Sequence, residues 1–171
     1  DAGMQVVCEG FGHGAAPSLQ WLVLGFNNFG PVGAAALAAA LRRGALPKLS
    51  WLSLMNNPLG NQGVAALAAP LRKLPALMEL RLLNNNIGDE GVASLFANLG
   101  KDDFKALKTL WLAYNQITDA GMTTLVAALD AGRLPRLLND QDDDKKFFLK
   151  QNRASASAVQ AVEDALAKRS Q

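Results

Sequence analysis

Apolar residues in this chain follow two patterns that alternate along its length. Four stretches align without gaps: LQWLVLGFNNFG from Leu19, LSWLSLMNNPLG from Leu49, LMELRLLNNNIG from Leu77 and LKTLWLAYNQIT from Leu107. Each reads L-x-x-L-x-L-x-x-N-x-Φ, with Φ apolar, and the starts are 30, 28 and 30 residues apart. The inner L-x-L alternation predicts a short strand with leucines on one face and x residues on the other. Each stretch is followed by G-x-x-x-L-x-x-x-L, from Gly33, Gly63, Gly91 and Gly121. An apolar residue every fourth position predicts one face of a helix. No single strand–helix turn can bury its apolar edge alone, so stability must come from stacked neighbours.

Three spaced leucines followed at a fixed offset by Asn, four times over, resemble the leucine-rich repeat family. Within that family the repeat length resembles the ribonuclease-inhibitor-like class. The resemblance implies an α/β leucine-rich repeat solenoid, a right-handed coil of strand–helix turns with a parallel concave sheet. It also implies a structural ladder of Asn27, Asn57, Asn85, Asn115 and Asn152, each hydrogen-bonding backbone of its own turn and of the next repeat. That would meet the demand that buried backbone polar groups be paired.

The repeats organise residues 1–171 as one domain: a half-repeat helix at 1–18, repeats at 19–48, 49–76, 77–106 and 107–136, an insertion at 137–143, and a degenerate terminal repeat at 144–171. DAGM at 1–4 recurs at 119–122, so the chain opens at the helix of a repeat whose strand is missing. With no initiator Met, the expectation is a processed chain or a fragment. In the terminal repeat Phe147 and Leu149 take the inner strand positions, and a helix from about Ala156 to Lys168 serves as a cap. Asp89 and Asp119, with Asn61 as their counterpart, are placed to cap their own helices. Pro70 should end or kink the second helix early, which would fit the 28-residue spacing there.

Composition sharpens this picture. Ala and Leu each occur 29 times, and charged residues make up 19% of the chain. Residues 1–75 carry only seven charges, and none lies between Gly10 and Leu41. Asn27, Asn28, Gly30, Pro31 and Gly33 interrupt that stretch and argue against a membrane-spanning helix. Alanines crowd the helices, with Ala34, Ala35, Ala36, Ala38, Ala39 and Ala40 in one and Ala65, Ala66, Ala68 and Ala69 in the next. They are read as a smooth outer face, either a product of helix propensity and biased composition or a surface that docks against another protein.

The charge balance excludes a strongly basic nucleic-acid footprint, so no nucleic acid is expected as partner. One Cys, Cys8, excludes an internal disulfide and a Cys-based zinc site, and His13 is the only His. Asp140, Asp142, Asp143 and Asp144 lack the spacing of a calcium loop and read as a solvated insertion. No phosphate loop or catalytic triad is present, and no metal or cofactor is implied.

Strand position sorts the x residues into concave-face columns. The first holds Trp21, Trp51, Glu79, Thr109 and Lys146; the second Val23, Ser53, Arg81, Trp111 and Phe148; the third Gly25, Met55, Leu83, Ala113 and Lys150. A flanking column holds Phe26, Asn56, Asn84, Tyr114 and Gln151. Trp21, Trp51, Met55, Arg81, Trp111, Tyr114 and Phe148 are therefore the candidate partner-binding residues. Aromatic residues are enriched at binding hot spots, and they also stabilise sheets by cross-strand stacking. Both readings stand.

The function expected is non-enzymatic protein binding, as an accessory or scaffolding subunit docked in a larger assembly, organellar or peripheral to a membrane. The alternatives are a free cytosolic recognition domain, as in immune-receptor-like proteins, or a regulator of an enzyme such as a small GTPase. Against inhibition of ribonucleases, those relatives are Cys-rich and acidic and this chain is neither. The absence of Cys-rich caps points to an intracellular site, cytoplasmic or organellar.

Overall fold

A computed structural model describes residues 1–137 and 149–169. In chain order the elements are α1 (Ala2–Gly12), β1 (Trp21–Val23), α2 (Pro31–Arg42), β2 (Trp51–Ser53), α3 (Gly60–Arg72), β3 (Glu79–Arg81), α4 (Asp89–Phe96), β4 (Thr109–Trp111), α5 (Asp119–Asp130) and α6 (Ala156–Ala167). The strands form one parallel sheet in the order β1-β2-β3-β4, with Trp21, Trp51, Glu79 and Thr109 in register. Helices pack on one another in sequence, α1 on α2 through α5 on α6. Leucines of the strand and helix motifs fill the space between the two layers. Leu52, Leu80, Leu110, Leu37, Leu67, Leu95 and Leu125 are all buried. The predicted α/β solenoid is the observed fold. The predicted terminal strand and nearly all of the insertion lie outside the described residues.

The Asn ladder forms with a different partner from the one expected. Asn57 Nδ2 donates to Leu54 O of its own turn and to Leu24 O of the preceding repeat, and its Oδ1 accepts from Asn27 N and Phe29 N, also of the preceding repeat. Asn115 repeats this with Leu82 O, Asn85 N and Ile87 N, and Asn152 with Leu112 O and Ile117 N. Each carboxamide thus looks back one repeat, because the turn it leaves lies beside the orphan amides of the turn before. The Asn27 carboxamide bonds only within its own turn, to Leu24 O and Gly25 O, and the residue is exposed.

The helix caps are shifted too. Asp89 does not cap α4. Its Oδ1 accepts from Thr118 N at 2.8 Å and Gly121 N at 3.0 Å, and its Oδ2 from the Thr118 hydroxyl, so it caps α5. Asn61 caps α4 through Gly88 N and Gly91 N, Asp1 caps α2 through Gly30 N and Gly33 N, and Asp119 binds Ser155 at the start of α6. The repeat Gly permits this. A Cβ on Gly121 would lie 2.6 Å from Asp89 Oδ1.

Pro70 does not shorten α3, which runs on to Arg72. Proline cannot donate to the carbonyl four residues back. That carbonyl, Ala66 O, accepts instead from the Arg42 guanidinium of the preceding helix at 3.1 Å. The 28-residue spacing comes from the return segment, which is six residues between α3 and β3 against eight between α2 and β2. The helix that does end early is α4. Ala97 is already extended and Asn98 has φ +54°, while Arg72 donates to Ser94 O, Leu95 O and Ala97 O.

The alanines are not simply an outer face. Ala34, Ala38, Ala40 and Ala68 are buried, while Ala35, Ala65 and Ala69 are exposed. A Cβ on Gly63 would lie 3.3 Å from the Ala34 Cβ. Small residues here let α2 and α3 approach closely.

Candidate functional site

The concave columns place three of the chain's aromatics and one cation in a single stack. Trp21 and Trp51 are paired in register, their ring centroids 5.9 Å apart and tilted by 37°. Arg81 lies one strand further on. Its guanidinium carbon is 4.7 Å from the Trp51 ring centroid and 5.3 Å from that of Trp111. Glu79, one column over, accepts from Arg81 Nε at 2.5 Å. A cation between two π faces contributes about 0.5–2 kcal/mol per contact, depending on desolvation. The result is the row Trp21–Trp51–Arg81–Trp111 crossing four strands, with its one cation matched by one carboxylate.

Exposure grades along this row. Trp21 is 70% exposed, while Trp51, Arg81 and Trp111 are half-buried against one another. Met55 is half-buried and folds over Gly25, where a Cβ would meet its Cγ at 2.8 Å. Ser53 and Ala113 were expected on the open face but are buried. Ser53 Oγ and Trp111 Nε1 are buried without a hydrogen-bond partner among the described residues. Tyr114 is 57% exposed at the rim. Phe148 lies outside the described residues.

The structure adds Phe26 and Val23, which sequence reasoning put in columns without singling them out. Phe26 is 74% exposed and Val23 63%. Phe26, Asn56, Asn84, Tyr114 and Gln151 share a left-handed backbone, with φ between 50° and 61°. Asn tolerates that region, whereas a bulky residue there is a genuine outlier. Phe26 and Tyr114 thus hold aromatic rings out to solvent on strained backbone, a state that clusters at functional positions. The signal available in the sequence was an aromatic immediately before the ladder Asn.

The chain's single Cys and single His lie away from this row. Cys8 is buried, and burial raises its thiol pKa with only partial opposition from Arg43. His13 Nδ1 contacts Glu9 O at its own helix end. Among the described residues, no group of His, Cys, Asp or Glu could hold a metal ion, and no helix is long and apolar enough to cross a membrane.

Comparison with known proteins follows this geometry. A family model described as Leucine Rich repeat matches residues 15–38, 45–68, 73–96 and 106–126. The tropomodulin C-terminal domain of Caenorhabditis elegans superposes with a TM-score of 0.66 at 12% identity, over 98% of this chain and 93% of that one. Leiomodin-1 actin-binding site 2 superposes with a TM-score of 0.60 at 13% identity, over 95% of this chain and 87% of that one. At such identities the likeness is one of fold. No curated protein matches the chain.

Proposed function

This chain belongs to the leucine-rich repeat family, and from that premise we propose that it is a non-enzymatic protein-binding module that engages its partner through the concave aromatic row. One observation carries this reading: all three Trp residues lie in one row across the sheet, and the row opens outward at Trp21. Large, rigid aromatics give contact area at little entropic cost, and Trp, Tyr and Arg dominate binding hot spots. The matched pair Arg81–Glu79 leaves the row without net charge, which favours an apolar partner surface over a strongly acidic or basic one. Of the two solved neighbours, leiomodin-1 actin-binding site 2 is a protein-binding domain by its description, which is consistent with this reading at the level of protein binding.

The finer reading is an accessory or scaffolding subunit held in a larger assembly. Its support is the run without charge from Gly10 to Leu41, together with five large apolar residues exposed within the first 26: Val6, Val7, Trp21, Val23 and Phe26. Interface cores are depleted of charge in the same way. The 28- to 30-residue spacing supports the ribonuclease-inhibitor-like class.

The test is capture of partners from native extract by the immobilised chain and by the Trp51→Ala, Trp111→Ala double variant, with thermal melting of both. Loss of capture by about tenfold or more, at hot-spot magnitude, is expected from a folded variant. Equal capture by both proteins would overturn the concave-face reading.

A further inference from the structure

The centre of the concave row presents hydrogen-bond donors that the chain itself does not use. Arg81 stands on β3, with Trp51 of β2 on one side of its guanidinium and Trp111 of β4 on the other. Its Nε donates to Glu79 Oε1. Its Nη atoms have no acceptor among the described residues and reach solvent, and the side chain is 34% exposed. An arginine fork carries more N–H donors than the one that Glu79 takes. The ion pair therefore balances the charge of the row and leaves it short of acceptors.

Spacing adds a second constraint. The Trp51 and Trp111 ring centroids lie 4.7 Å and 5.3 Å from one guanidinium carbon, so they are no more than about 10 Å apart. Two strand separations, about 9.6 Å, give the same span across the sheet. A polyproline II helix repeats every three residues, about 9.3 Å. Residues three apart on one side of such a helix keep step with the two indoles, and the turn between them lies over Arg81. A β-strand repeats each face about every 6.8 Å and does not.

The geometry points to a proline-rich segment of the partner as the occupant of this row. It lies as a polyproline II helix across β2, β3 and β4, with prolines three apart against Trp51 and Trp111. A main-chain carbonyl between them accepts from Arg81 Nη. This inference rests on the concave row being the partner-binding face. Hydrogen-bond chemistry selects this occupant over other apolar segments. Proline brings a carbonyl and no N–H, so it supplies acceptors without adding donors that need partners. A polyproline II helix makes no internal hydrogen bonds and keeps its carbonyls free, whereas an α-helix spends its own on the next turn. Because Glu79 already balances Arg81, the segment needs no charge. Aromatic-lined grooves recognise such segments, whose extended form is set before binding and costs little entropy to hold.

The probe is decaproline, acetylated and amidated, with an uncharged Gly-Ser peptide of equal length as control. Binding is followed at the indole N–H signals of Trp51 and Trp111 by NMR. Decaproline should shift both signals saturably, and the control should shift neither. Arg81→Lys should weaken binding by about tenfold or more, since an ammonium keeps the charge but not the planar fork. Its melting curve checks that the variant is folded. Unchanged affinity in that folded variant would overturn the proposal. So would the absence of shifts at about 1 mM decaproline, the weak end of specific binding. Binding about tenfold tighter to the peptide with a central Glu would also overturn it, by assigning the Arg81 nitrogens to a carboxylate. Competition separates the inference from the reading beneath it. Capture from native extract that is lost in the Trp51→Ala, Trp111→Ala variant and displaced by decaproline supports both. Capture lost in that variant but unaffected by decaproline keeps the concave face and overturns the proline-rich occupant.

Discussion

The junctions of this solenoid share one backbone pattern and are held by two different means. Most are polar. Asp1, Asn61, Asp89 and Asp119 reach the start of the next helix, and Asn57, Asn115 and Asn152 each take their rung. Around α2 and α3, two prolines stand in place of polar residues. Pro31 replaces the capping residue, and Pro58 replaces the residue that in Asn28 and Asn86 has a left-handed backbone. Proline cannot adopt positive φ, so the turn is rebuilt. Gly60 takes φ +61°, its N–H goes to Asn85 O, Leu59 N bonds Asn57 O, and Asn85 Oδ1 is left buried and unpaired among the described residues. Close packing at Ala34 and Gly63 and the Arg42 bridge to Ala66 O hold this junction. A repeat fold needs its junctions closed, and side-chain polarity and small-residue packing are interchangeable ways of closing them.

The largest test of this contrast truncates the core in each half. Leu80→Ala, at a fully buried rung, should cost about 2–5 kcal/mol in chemical denaturation. Leu22→Ala at the open edge should cost clearly less, because solvent reaches the space it leaves. Equal losses would mean that the N-terminal edge is as closed as the centre.

Next come the caps. Asp89→Ala should lose about 1–2 kcal/mol, the upper range for a cap, since three donors converge on one carboxylate. The same carboxylate should make stability depend on acid pH. Burial works against its ionisation, but hydrogen bonds from the Thr118 hydroxyl and from the Thr118 and Gly121 amides outweigh burial and hold the Asp89 pKa below the ordinary carboxylate range. For Asp103 burial is likewise outweighed, by hydrogen bonds from Lys73 and Gly100 N and by the Lys73 and Arg72 charges. A group whose folded pKa is depressed stabilises the fold above its unfolded value, about 3.9 for Asp. That contribution fades as pH falls through the folded value. Melting temperature should therefore drop on acidification below about pH 4, and Asp89→Asn should flatten the drop. An unchanged acid profile in that variant would remove Asp89 from the account.

The smallest effect is the most discriminating. Pro58→Asn restores the left-handed residue and gives Asn85 Oδ1 its amides, and Pro31→Asp restores the cap. Neither should matter much alone, because Gly63 N already bonds Leu59 O in the rebuilt turn. Together they should stabilise by about 1 kcal/mol beyond the sum of the singles, read from a double-mutant cycle. Strict additivity would show that the two prolines are independent.

Much of this was legible in the chain itself. The L-x-L and G-x-x-x-L periods mark out strands, helices and their register, and the columns list Trp21, Trp51, Arg81 and Trp111, whose side chains neighbour one another in the structure. What escaped were contacts between repeats, which a motif read one turn at a time cannot contain. Asp89 looks like a cap for its own helix until the next Gly is seen against it. Pro70 looks disruptive until Arg42 is found on the freed carbonyl. Alanine content alone does not tell an outer face from a helix–helix seam, since spacing to the neighbouring helix decides it. The outward setting of Phe26 depends on backbone torsion that no period encodes.

The two polar ladders run in opposite directions along the chain. A cap precedes the helix it serves by about a full repeat, as Asp89 precedes Gly121 by 32 residues, while a ladder Asn follows the turn it serves, as Asn115 follows Ile87 by 28. During synthesis, then, each emerging helix meets a cap already made, but each emerging turn must wait for the repeat behind it. Such a chain would lay down its helices in step with translation and seal its turns one repeat late. The most recently made turn would be the loose end of the growing protein at every moment until the last Asn, Asn152, is in place.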